Sequence, residues 1–399
     1  MIIIALLCIL SIAIILVDYI RSGWILILNP FFYGLFFSFI YLLIPSLFVD
    51  KINYYFEWGI EYENIIYSHV FVSLFIVPIF IIYLVFPSCK LIRYGSGLKI
   101  NSSPIITFIW IFSLFYSLFV LWVTIGEVKG GYFIYDFTQE DKYKIKNLSY
   151  LLICVSVYFY CATGNRISFV PCVILGLIDL LHGSRTVAMI ALTPLVLSMC
   201  CRNEKLYAFP IISIFSLLLF IGVYRLDEHL VSGIPWYIHA MGEFRETYIT
   251  LPIFVTNEDY VGASGIDNVI AMFLNGIAHP LRSVIAEVYV FPGTFKSNYL
   301  QRGYGLASNI IVNSLHYGYV FTIFTGILFY SFLVLCYRIV LMLSMVNKLI
   351  FMSFFIVFSR LIIREGVYSS VGVMIFVILV YWLPFVIFRK MTFIRSYKS

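Results

Sequence analysis

Charge is scarce in this chain of 399 residues: 12% of it is Asp, Glu, Lys or Arg, against 62% hydrophobic residues. Soluble domains are about a quarter charged and about half apolar, so a water-soluble fold is excluded. The mean hydropathy of +1.00 points the same way. Strict apolar–polar alternation is also missing, which argues against a β-barrel. No cysteine falls in an outer connection. Cys8, Cys154, Cys161, Cys172, Cys200, Cys201 and Cys336 lie in or beside apolar runs, and Cys89 at an inner boundary. A disulfide framework or CxxC metal site is therefore not indicated. The first apolar run lacks a basic leader and an A-x-A-like site, and is expected to be a retained span. No internal repeat is visible. No basic stretch interleaved with stacking aromatics is present either, which removes nucleic acid from the expected partners.

What the chain does have is long apolar runs. A helical span needs about 20 apolar residues, and backbone groups in lipid must pair within their own segment, so the runs are expected to be helices. They cover Ile2–Val17, Trp24–Val49, Ile65–Phe86, Pro104–Ile125, Leu148–Ala162, Ile167–Leu181, Thr186–Cys200, Leu206–Val223, Tyr317–Val340, Leu349–Ile363 and Val367–Phe388. The expected fold is an all-α polytopic membrane protein with about eleven (ten to twelve) transmembrane helices. A bundle of about eight helices fills 1–224, a large polar loop 225–310, and about three helices with a basic tail 311–399.

Lysine and arginine placement orients the bundle. One set of connections holds Arg21, Lys90, Arg93, Lys99, Arg166, Arg202, Lys205, Arg338, Lys348, Arg389, Lys390, Arg395 and Lys398, with Asp18 and Glu204 as their only acids. This side is expected to be cytoplasmic, with the C-terminus. The large loop then faces outward.

In the outer connections, Asp50–Asn64 reads as a solvated acidic cap, and Glu127–Asn147 as a surface turn or short helix with local charge pairs. The turn His182–Gly183–Ser184–Arg185 places a guanidinium at the outer face, with Asp179 one helical turn before it. Arg185 is either an Asp-paired snorkelling arginine or an anion binder at the mouth of a cavity. The large loop concentrates Arg225, Asp227, Glu228, His229, His239, Glu243, Arg245 and Glu246 among Trp236, Tyr237, Phe244 and Tyr248. Pro235–Leu251 reads as an amphipathic helix lying on the membrane. Gly265–Leu281 reads as re-entrant or interfacial, and Arg282, Glu287, Lys296 and Arg302 follow. Guanidinium forks beside aromatic faces suit a ligand with both phosphate and sugar.

The stretch Arg302–Tyr330, RGYGLASNIIVNSLHYGYVFTIFTGILFY, resembles the C-terminal region of bacterial O-antigen polymerases of the Wzy type, within the group that also holds O-antigen ligases. Its marks are Gly303–Gly305, the polar start Ser308–Asn313, and Gly318 with Gly326 in the returning helix. Gly183–Arg185 is similar to a turn in those enzymes, and Arg282 with Gly293 matches their R-x10-G pattern. The resemblance implies a metal-independent glycosyltransferase without cofactor at the periplasmic face of the inner membrane. It joins oligosaccharide repeat units carried on undecaprenyl pyrophosphate, with membrane lipid and a chain-length regulator as further implied partners.

That chemistry needs cations for the departing pyrophosphate and a base for the acceptor hydroxyl. Arg185, Arg245, Arg282, Arg302 and Arg360 are the expected pyrophosphate and substrate binders, because fixed charge aimed at developing charge is a large catalytic term. His316, Glu287, His239 and His279 are the expected bases; the plainer reading of each histidine is a structural hydrogen-bonder. Arg360 lies within a span, where an arginine is costly and requires a partner. No metal ligand set is expected. The rival readings are a lipid-linked oligosaccharide flippase or other transporter, and an O-antigen ligase.

Overall fold

The computed structural model describes residues 2–85, 103–127, 144–182, 186–207, 216, 233–256, 309–315 and 318–387. Within them the chain is helical throughout, with no strand. Nine helices among the described residues are long and apolar enough to cross a membrane. The chain is thus a polytopic, all-helical protein of membrane type. Leu206–Val223 falls almost wholly outside the described residues.

The first two runs divide differently from the hydropathy reading. Helix α1 (Ile2–Ser22) runs on through a 3-10 turn at Gly23–Leu28. Asn29 then starts α2 (Pro30–Ser38): its Oδ1 accepts from the Phe31 N–H at 3.1 Å, and Pro30 occupies the first helical position. Asparagine is a strong N-cap, and proline at the first position loses no bond, so this pair stops one helix and begins another inside an unbroken apolar run. The expected single span Trp24–Val49 is therefore corrected to one spanning Pro30–Leu47.

That span contains a widened turn. Phe39–Leu43 is π-helical, the Ile44 N–H reaching back to the Phe39 carbonyl, and α3 (Ile44–Leu47) completes the run. Pro45 explains it. Proline has no N–H for the carbonyl four residues earlier, that of Tyr41, and its ring crowds that carbonyl. The chain relaxes by taking one longer turn, a device often found at functional sites.

After α4 (Val49–Phe56) come the long helices α5 (Tyr62–Val85), α6 (Pro104–Glu127) and α7 (Ile145–Thr163). Then follow the short α8 (Val170–Leu181) and α9 (Thr186–Asn203). With 12 residues, α8 is about 18 Å long and is too short to cross a core of about 30 Å unaided. Two short helices of the loop region, α10 (Trp236–Met241) and α11 (Glu243–Thr256), precede α12 (Ile310–Leu315). The last three are α13 (Val320–Met342), α14 (Met345–Glu365) and α15 (Val367–Val377), the last extended by a π turn at Ile378–Trp382.

Helix α14 is the axis of the bundle. Of its apolar window 94% is buried inside the protein, against 22% for the peripheral α6. It packs against α2, α7, α9 and α15. Helices α5 and α13 meet at Gly326, where a Cβ would lie 2.5 Å from the Phe75 carbonyl oxygen. Small residues permit such backbone approach in apolar bundles.

Contacts define two ends. At one end the Trp110 indole N–H donates to the Ser168 carbonyl at 2.8 Å, and Arg202 caps the Gly164 carbonyl at the end of α7. Asn347 there receives Tyr158 at 3.2 Å and Trp382 at 3.4 Å. Arg166, Lys205 and Lys348 belong to this basic end by their places beside these contacts in the chain. The other end carries α4, α10 and α11, joined where the Lys51 ammonium donates to the Tyr237 hydroxyl at 2.9 Å. That bond holds the exposed ammonium above its ordinary value.

The loop region corrects a second expectation. Pro235–Leu251 is not one amphipathic helix on a membrane surface. It breaks at Gly242, whose φ of +43° favours glycine, into α10 and α11. From Thr247 to Val255 nearly every described side chain of α11 is buried, polar and apolar alike. Helix α11 inserts among α5, the Phe39–Leu43 turn, α3 and α12.

Candidate functional site

Arg360 stands on α14 five residues, about 7 Å, before the helix ends. It is 6% exposed. Its Nε donates to the Tyr41 hydroxyl at 2.8 Å, and its Nη1 reaches the Thr186 Oγ1 at 3.4 Å. Tyr41 belongs to the π turn after α2 and Thr186 begins α9, so one guanidinium gathers three distant segments. Thr186 directly follows the Gly183–Arg185 turn, which lies outside the described residues. The expected Asp179–Arg185 pairing lies outside the described residues with Arg185; the Asp179 Oδ2 accepts from the Ala188 N–H at 2.7 Å, serving the first turn of α9.

Tyr41 also connects Arg360 to the loop region. Its ring meets Phe244 of α11 edge-on, centroids 4.8 Å apart. The next residue is Arg245, which is 1% exposed. The Arg245 guanidinium grips Glu246 through Nε at 2.9 Å and through Nη2, donates from Nη1 to the Ile238 carbonyl at 3.4 Å, and lies 3.9 Å over the Phe56 ring. A buried ion pair persists when such additional bonds offset desolvation. One Glu246 oxygen is thus held, while the other, Oε2, is buried without a hydrogen-bond partner. Arg245 is committed to this pair, so an anionic ligand would have to displace Glu246 to reach it.

A second polar knot joins α11 to α12. Asn309 is fully buried and starts α12 by accepting from the Ile311 and Val312 N–H groups at 3.1 and 3.0 Å. Its Nδ2 donates to the Thr247 carbonyl at 2.9 Å and the Thr250 Oγ1 at 3.2 Å. From α12, Asn313 donates to the Glu365 carbonyl at 2.5 Å, satisfying the last turn of α14 just past Arg360. Gly366 follows with φ +110°, and the Asn313 amide fills the space beside it.

Of the residues expected from sequence, the structure brings Arg245 and Arg360 to one end of the bundle, linked through Phe244 and Tyr41. His239 is half-buried in the last turn of α10, next to the Ile238 carbonyl that Arg245 holds. Arg185, Arg282, Arg302, His279, Glu287 and His316 lie outside the described residues. Tyr41, Thr186 and Phe56 were not singled out by sequence; Asn309 and Asn313 fall in the polar start Ser308–Asn313 but were given no role. Two left local signals: Pro45 four residues after Tyr41, and Asn309 directly before an apolar run. No family model, curated protein or solved structure matches the chain.

Proposed function

We propose that this chain polymerises O-antigen or other surface-polysaccharide repeat units. The growing glycan moves from undecaprenyl pyrophosphate to the non-reducing hydroxyl of another lipid-linked unit, and undecaprenyl pyrophosphate departs. In this reading the protein sits in a bacterial inner membrane, with the loop end periplasmic and the basic end cytoplasmic, as positive-inside placement requires.

The observation that supports it is Arg360, buried at the loop end of the most enclosed helix and oriented by two hydroxyls. Intramembrane arginines are costly and mark function, and a guanidinium matches phosphate oxygens in charge and shape. Arg185 adjoins this point in sequence and would add a second cation. Arg282 and Arg302 complete the proposed anion-binding set. His316, Glu287, His239 and His279 are the proposed bases, with no cofactor called on.

A flippase or transporter is the second reading. The short buried helices α11 and α12 favour it, because transporters build sites from helices that enter without crossing. The polymerase reading stands ahead because the buried arginines Arg360 and Arg245 lie towards the loop end of the bundle rather than at mid-depth.

Deleting the gene and separating the surface polysaccharide by electrophoresis tests the choice. Collapse of the ladder to core plus one repeat unit supports polymerase. Loss of long and short forms together favours a flippase or ligase and overturns the proposal. Arg282→Ala should abolish the ladder at unchanged protein level, and an intact ladder would remove that arginine from the mechanism.

A further inference from the structure

We infer that Tyr41 is a positioning residue for Arg360, aiming its guanidinium at the phosphate groups of the carrier and coupling that aim to the loop helix α11. This rests on the anion-binding reading of Arg360. Three independent features converge on Tyr41. The first is its hydrogen bond: the hydroxyl accepts from Arg360 Nε at 2.8 Å across 319 residues of sequence. Nε is the inner donor of the guanidinium, so holding it on Tyr41, with Nη1 on Thr186, fixes the plane and direction of the fork.

The second is the backbone. Tyr41 lies within the π turn Phe39–Leu43 that Pro45 imposes. An ordinary α-helical turn would rotate each following residue by about 100° and carry the tyrosine elsewhere on the helix. The widened turn is thus what delivers this hydroxyl to α14. The third is the ring, 1% exposed and set edge-on to Phe244 at 4.8 Å. Movement of α11, whose buried face includes Arg245, must shift Tyr41 or open a gap beside it, because packed interiors transmit strain. A substrate that displaces the loop helix would therefore reorient Arg360.

The test uses the full-length protein in lipid nanodiscs and farnesyl pyrophosphate as a short polyprenyl pyrophosphate probe. Tyr41→Phe keeps the ring and its contact with Phe244 and removes only the acceptor oxygen. Affinity for the probe should fall about tenfold, the usual scale for a lost hydrogen bond to a charged group, in protein that still shows a cooperative melting transition. In an Arg360→Lys background, which has no Nε to hold, Tyr41→Phe should cause no further loss. Wild-type affinity in Tyr41→Phe, or the same fall in both backgrounds, would make Tyr41 a structural residue and overturn the inference. Failure of the unmodified protein to bind the probe would remove the anion site itself, and the positioning role with it.

Discussion

Arg360 and Tyr41 are 319 positions apart in sequence and 2.8 Å apart in space, the guanidinium Nε donating to the phenol oxygen. This contact joins the central helix to the π turn near the beginning of the chain and, through the Tyr41 ring, to the loop helix α11. Several expected outcomes follow from it and from its neighbours.

Arg360→Ala should abolish polymer formation, with the protein still inserted in the membrane. Arg360→Lys keeps the charge and loses the fork, so it should retain only part of the activity. Ladder electrophoresis beside an immunoblot of the membrane fraction measures both. A normal ladder from Arg360→Ala would place the arginine in packing alone.

Glu246→Ala should destabilise the protein by about 3–5 kcal/mol, because it strands the Arg245 guanidinium in a site 1% exposed. Replacing both partners, Arg245→Met with Glu246→Leu, should recover most of that loss. Thermal melting in detergent compares the three proteins. A single variant as stable as the parent would mean that the pair is solvated.

Asn309→Ala removes the cap of α12 and the donor to Thr247 and Thr250 together. A cap alone is worth about 1 kcal/mol, and a buried carbonyl left without its donor costs a further 1–3 kcal/mol. The variant should also make α11 more susceptible to proteolysis. Asn309→Asp, which keeps the cap and loses the amide donor, should lie between.

Gly326→Ala places a methyl group 2.5 Å from the Phe75 carbonyl oxygen at the crossing of α5 and α13. The obstacle is backbone, so the helices themselves must separate. A loss of about 1–3 kcal/mol is expected from overpacking. Gly23→Ala has open space around it. Its φ of +56° strains any side chain, so its cost should come from conformation and not from collision.

Most spans were legible in the sequence, and the failures have local causes. Trp24–Val49 is unbroken by hydropathy, yet Asn29 and Pro30 carry a helix start within it, and capping outweighs apolar length at that point. Pro235–Leu251 has charges at spacings that imitate a wet face. That reading failed because Arg245 and Glu246 neutralise each other, so a charged pair could be buried where two separate charges could not. Arg360 was legible as an oddity, an arginine inside a span. Its partners were not, since nothing in the residues near 360 refers to Tyr41 or Thr186.

By itself the sequence determined the membrane class, the helical state and the separation of basic from acidic connections. Each follows from solvent: lipid rejects charge and unpaired backbone, and that rule acts on every segment one at a time. Only tertiary structure decided that α11 is buried, that α14 is the axis, and that Arg360, Tyr41 and Phe244 meet. Hydropathy constrains whether a residue belongs in the membrane. It carries no information about which neighbour the residue finds there, because that depends on how separate helices pack against one another.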